Sequence, residues 1–254
     1  MAILVKQKAI DISDDVLNYR ISSVGELQKI AIKFQSRHWV GGWMYRGQAD
    51  KSWPLIPKAG REPHYISDHY THRLQAWCRE AIAYTPNFPD SIWERMALAQ
   101  HHGLATNLLD WTNNPLVAMY FACAQLSNED GAIYCYYPTQ CICTPEKNPI
   151  NKYENIVGYI PRIINPRLVN QGPCFTFHPD AKSNLTPGRL PPPFKGQQLK
   201  TIIIGRSAKA NILEELNLYG INRKFLFPDL DGLSLHYNWL IAKESNKKFN
   251  GIDS

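Results

Sequence analysis

Arg46 stands directly before a glycine in the run WMYRGQADKSWPLIPKAGR, residues 43 to 61, and the amide of Gln48 follows. An Arg-Gly step lets the backbone bend while the guanidinium offers a fixed fork of donors, the geometry that grips carboxylates and phosphates. Residues 100 to 115, QHHGLATNLLDWTNNP, carry further candidates in His101, His102, Asp110 and Thr112. Adjacent histidines invite general-base chemistry, although a histidine in the last turn of a helix is also favoured by the helix dipole. Asp110 either carries function or caps a helix, and Arg46 either binds an anion or pairs with a carboxylate inside the domain.

The elements that must position these groups follow from patterning. Ser23 and Glu26 stand at capping-box spacing before Leu27, Ile30 and Phe34, which predicts a helix over 24–36. Trp43 and Tyr45 predict a short strand ending at the Arg46-Gly47 step, and an aromatic and histidine-rich helix is expected over 64–84. Asp90 is expected to cap a helix that stops at Gly103, and Pro115 to open another behind Asn113 or Asn114. On that reading Asp110, Trp111 and Thr112 lie at a helix N-terminus, where backbone N–H groups favour an anion. Strands are expected at 131–138, 174–177 and 200–205, then a helix over 209–220 ending on Gly220 and a last helix within 225–241. The proline-rich stretch 183–198 reads as a surface loop or lid. The sum is a single α+β domain.

Composition narrows the classes. The 254 residues are 44% hydrophobic, enough for a sizeable core, and no run of about 18 apolar residues predicts a membrane span. A net charge of +6 permits contact with phosphates without requiring it. Six irregularly spaced cysteines without a signal-peptide pattern predict reduced thiols in a cytoplasmic setting. Cys141 and Cys143, with Cys174 and His178 at a distance, fall short of zinc-knuckle spacing, so no metal is expected. Neither a dinucleotide-fold glycine fingerprint nor a phosphate-binding loop motif occurs, which removes hydride transfer and nucleoside triphosphate hydrolysis.

Together, MYRGQADKSWPLIPKAGR and LAQHHGLATNLLDWTNNPLVAMYFAC resemble the FRG domain, a family named for its Phe-Arg-Gly motif. RLVNQGPCFTFHP and GINRKFLFPDLDGL extend the resemblance over roughly residues 22 to 240. Tyr45 replaces the Phe, Ala105 a usual Pro, and Asn107 a usual Arg, so a second phosphate-binding cation would have to come from Arg61, Arg189 or Arg206. The family in turn looks like the NAD-dependent ADP-ribosyltransferase superfamily, which implies a small mixed or antiparallel split sheet flanked by helices, with NAD as the substrate. The resemblance places catalysis at Arg46, His101, Asp110 and Thr112. It places the nucleotide contacts at Arg46, Gly47, Gln48, Gln100, Asn107, Trp111 and Gln171. Arg46 would hold a phosphate or ribose, and Thr112 with Asp110 would orient the nicotinamide ribose. A carboxylate must face the carbon that becomes oxocarbenium-like, and Asp110, Glu214, Glu215, Asp229 and Asp231 are all candidates. The implied acceptor is a nucleic-acid base, a protein or water, in a bacterial toxin or phage-defence setting. The alternative is a module that binds a nucleotide or nucleic-acid end without chemistry. A nuclease-like use of His101, His102 and Asp110 lacks a metal-binding carboxylate cluster.

Overall fold

The computed structural model describes residues 18–34, 42–65, 70–85, 87–125, 128–138, 140–143, 149–162, 170–185 and 198–249. Its strands are β1 (Asn18–Ile21), β2 (Met44–Gln48), β3 (Leu108–Thr112), β4 (Gly131–Tyr137), β5 (Cys141–Ile142), β6 (Val157–Tyr159), β7 (Pro173–Phe177) and β8 (Gln198–Ile204). They form one sheet in the order β1-β8-β4-β2-β3-β7-β6-β5. The β1–β8 and β5–β6 pairs are parallel and the others antiparallel, so the sheet is mixed as expected but larger than the small one anticipated.

The helices are α1 (Val24–Ala31), α2 (Tyr70–Ala81), α3 (Ile92–His101), α4 (Pro115–Cys123), α5 (Lys209–Leu218), the single turn α6 (Arg223–Leu226) and α7 (Leu230–Phe249). Among the described residues no helix is long and apolar enough to cross a membrane. The central strand β4 is buried at all seven positions because helices cover one face and loops the other, which is why GAIYCYY does not alternate with polar residues. On the helical face, α1, α4 and α5 close one apolar cluster over β4 and β8, while α2 and α3 close another over β3, β6 and β7. Trp93 anchors the second, with Phe177 edge-on at 5.0 Å and Tyr159 at 5.3 Å.

Most boundaries follow local chemistry. The Ser23 hydroxyl accepts from Glu26 N at 3.3 Å, and α1 tightens into a 3-10 turn over Ile32–Phe34, with residues 35 and 36 of the expected helix outside the described ones. Residues 64 and 65 belong to a turn on the Arg61 carbonyl, so α2 does not reach back to 64. Ser91 rather than Asp90 caps α3, because Ser91 keeps an extended backbone and its hydroxyl accepts from Trp93 N. Gly103 stops α3 at φ +89°, and Asn114 caps α4 ahead of Pro115. Gly220, at φ +78°, lies two residues beyond the end of α5. Strand β2 runs on through Gln48 instead of ending at Arg46-Gly47. Most of the proline-rich stretch, residues 186–197, lies outside the described residues.

The largest correction concerns Asp110 to Thr112. They form a strand, not a helix N-terminus: β3 pairs with β7 along its whole length, and its side chains alternate between the two faces. The hydrophobic run LLDWT is read correctly only once β7, more than 60 residues downstream, lies beside it.

Candidate active site

The halves of the sheet meet at one position. β2 pairs with β4 through all five residues and β3 with β7 through all five, but β2 and β3 pair only at Tyr45↔Thr112. Beyond that point the strands diverge, leaving inner-edge carbonyls without ladder partners. Arg46 fills the gap by donating from Nη1 to the Asp110 carbonyl oxygen at 2.6 Å. Gly47 makes the adjoining helix packing feasible, because a side chain there would run into the carbonyl oxygen of Ala118 on α4.

A cleft of about 330 Å³ opens beside this divergence. Arg46 and Gly47 line it from β2, Gln100 and His101 from the last turn of α3, and Asp110 and Thr112 from β3. Phe121 and Phe227 close its apolar side, their rings edge to face at 6.2 Å. The Asp110 side chain is 60% exposed, and its Oδ2 lies 4.0 Å from Arg46 Nη1. The Gln100 amide lies 3.2 Å from each Asp110 oxygen and donates also to Leu108 O, while its Oε1 accepts from Thr106 at 2.6 Å. Thr106 thereby orients Gln100, and Gln100 orients Asp110. Burial lowers the Arg46 pKa, the Asp110 charge opposes that, and Arg61 adds to the lowering; Nε of Arg46 is buried without a hydrogen-bond partner.

Residues 41–131 match the family model of the FRG domain. The FRG-domain match spans β2 through α4 and ends on the first residue of β4, so it holds Arg46, Gln100, His101 and Asp110 but not Gln171, Phe175 or Phe227. No curated protein and no solved structure matches the chain. The matched stretch lies inside the wider span of the resemblance and contains both strands that diverge at the cleft.

Several expected site residues are placed elsewhere or already engaged. Gln48 is buried on β2, donates to Pro54 O at 3.4 Å and does not line the cleft. Asn107 is buried and donates to the carbonyls of His178 and Pro179, so it holds the segment after β7. Trp111 borders the cleft, but its indole donates to Thr176 at 2.9 Å in the core of the opposite face. The Thr112 hydroxyl donates to Gln171 O at 2.6 Å and accepts from Asn114 N, joining β3 to the start of α4. Gln171 does reach the rim of the cleft, while its side chain donates to Leu226 O.

The acidic candidates separate cleanly. Glu215 accepts from Val24 N, Glu214 pairs with Lys243, and Asp229 caps Gly232 N, so each serves local structure. Asp231 lies in the first turn of α7 and does not line the cleft. Among the described residues Asp110 is the carboxylate that lines it. Of the substitute cations, Arg61 feels the Asp110 charge, whereas Arg206 binds Asn128 O near Asp130 and Arg189 lies outside the described residues. Phe121, Phe175 and Phe227 were absent from the expected set, because a phenylalanine in a helix or strand reads as core until the cavity beside it is seen.

His178 is likewise structural. The Trp111 indole can only donate, so Thr176 Oγ1 accepts from it and gives its own proton to His178 Nε2 at 2.9 Å; Nδ1–H then donates to Ser183 O at 2.8 Å. Both ring nitrogens are engaged, which leaves none for a metal alongside Cys174. Burial holds this imidazole neutral, with its pKa lowered to about 4.

Proposed function

We propose that the cleft binds NAD and breaks the bond between its nicotinamide nitrogen and the ribose carbon, passing ADP-ribose to an acceptor or to water. The observation that carries this reading is Asp110: a carboxylate oriented by Gln100, only 4.0 Å from Arg46, and still 60% exposed at the cleft. Nicotinamide leaves with the bonding electron pair, the ribose carbon gains oxocarbenium character, and Asp110 stabilises that positive charge. An acceptor oxygen or nitrogen closes on the carbon and loses a proton. Arg46 lies beside this carboxylate, where its guanidinium grips a ribose hydroxyl or phosphate. The volume of about 330 Å³ is at the low end for small-molecule sites, so it takes the nicotinamide ribose and leaves the adenylate half outside. Like the acceptor, the resemblance of the fold to ADP-ribosyltransferases belongs to this proposal.

The test is incubation with NAD and with nucleic-acid and protein acceptors, monitored by nicotinamide release. Release that disappears in Asp110→Asn supports the reading; release that persists at the wild-type rate ends it. One observation favours a second reading, a nucleotide-binding module without chemistry: the Thr112 hydroxyl is engaged by Gln171 and Asn114 and is not available to orient a ribose. Calorimetry showing nucleotide binding that Arg46→Ala removes, without turnover in any condition, selects the module.

A further inference from the structure

A second cavity, of about 200 Å³, lies between the end of α4 and α5, α6 and α7. It backs onto the aromatic wall of the first cleft. Tyr120 lines the second cavity and packs edge to face, at 5.7 Å, on Phe121 of the first; Arg223 lines the second and lies 4.9 Å over the ring of Phe227. Leu213 and Trp239 form its apolar side, and the buried His236 ring stacks on Trp239.

The polar inventory of this cavity is uneven. Asn222 donates to Asn217 Oδ1 and accepts from Phe225 N, so both ends of its amide are engaged and it caps α6. Tyr120 is hydrogen-bonded to Arg223. Desolvation and the charge of Lys224 lower the pKa of His236, which favours a neutral ring. Among the described residues that line the cavity, Arg223 then carries the only formal charge, and none of them is an acid that would balance it. Its Nε–H is buried with no hydrogen-bond partner. A buried guanidinium N–H without an acceptor is a costly arrangement that an incoming acceptor relieves. The planar walls and the small volume set the rest: the space is below that of a drug-sized site, room for a single ring.

We propose that this cavity binds a small aromatic carboxylate, with the ring against Trp239 and Leu213 and the carboxylate accepting from Arg223. The site is separate from the cleft of Asp110 and stands whether or not that cleft reacts with NAD.

The experiment is a titration of the full chain with benzoate, benzamide and toluene, followed by ligand-observed NMR. Benzoate is expected to bind at least about tenfold more tightly than benzamide, with toluene weakest, because the charged acceptor strengthens the bond to Arg223. Arg223→Gln is expected to remove that preference. Ala124 lines the cavity from an exposed position, so Ala124→Phe fills the space without disturbing the core and is expected to abolish binding. Arg46→Ala, on the other cavity, is expected to leave benzoate binding unchanged. Equal binding of benzoate and toluene overturns the proposal, as does wild-type benzoate affinity in a folded Ala124→Phe protein or loss of binding in Arg46→Ala. If Ala124→Phe does not fold, an undiminished benzoate preference in Arg223→Gln overturns it alone.

Discussion

Asp110 and Asp130 each sit beside an arginine on opposite sides of β2, Asp110 on β3 and Asp130 directly before β4, and they differ in how completely they are satisfied. Asp130 accepts from Arg20 at 2.8 Å, Lys51 at 3.1 Å and Arg206 N at 3.1 Å, and these bonds, the backbone one foremost, lower its pKa to about 2. It joins β1, the turn after β2, the start of β4 and the end of β8, and its own side chain is only 16% exposed. Asp110 accepts from one amide at 3.2 Å, faces its arginine at 4.0 Å, and opens to a cavity. A carboxylate whose acceptor capacity is filled by the protein is a fastener. One that is oriented but left open is available to a ligand.

The severest way to break this comparison is Gly47→Ala. The new methyl meets backbone of α4, not a movable side chain, so β2 cannot keep its place and both aspartates lose their settings. A loss of more than about 3 kcal/mol is expected in urea denaturation. Next is the pair of exchanges at the aspartates. Asp110→Asn is expected to lower nicotinamide release by about 10²- to 10³-fold while leaving the urea midpoint nearly unchanged. Comparable activity losses in Asp110→Asn and Asp130→Asn would erase the distinction.

His178 supplies a third kind of ionisable group, buried and held neutral directly after β7, the strand that pairs with β3. Its folded pKa of about 4 is below the ordinary 6.5, so the unfolded chain binds the extra proton between those values. The stability from its neutral form is complete above pH 6.5 and is lost as pH falls toward 4, at about 1.4 kcal/mol per pH unit. Replacement by Gln is expected to flatten that slope, measured as urea midpoints across the window. The smallest effect is the stability change in Asp130→Asn, about 1 kcal/mol near neutral pH for a largely surface network. Because the Asp130 pKa is lowered from 3.8 to about 2, its contribution is present above pH 4 and fades as pH falls through 2. The difference between wild type and this variant is therefore expected to close over that acid range.

Local signals predicted α3, α4 and α5 well apart from the cap of α3, which is Ser91 and not Asp90, because Gly103, Asn114, Pro115 and Gly220 act through bonds and dihedrals within a few residues. They misplaced β3, since a five-residue apolar run has no period long enough to separate strand from loop, and its partner β7 is distant in sequence. Among the candidate residues, Arg46, Gly47, Gln100, His101 and Asp110 do line one cleft. Gln48 and Asn107 do not, because the burial of an amide depends on which face of a strand or loop the tertiary packing covers.

The residues by themselves determined the α+β character, the stop of α3 at Gly103 and the start of α4 at Pro115, and the resemblance to the FRG domain grouped Arg46 with the 100–112 segment. Only the tertiary structure decided that β2 and β3 meet at one pair and then diverge. That divergence leaves a carbonyl for Arg46 to satisfy and a space for Asp110 to face, and it arises because each strand is fully paired to a different half of the sheet. Pairing across a sheet is set by distant chain segments competing for the same edges, which spacing along one segment does not encode.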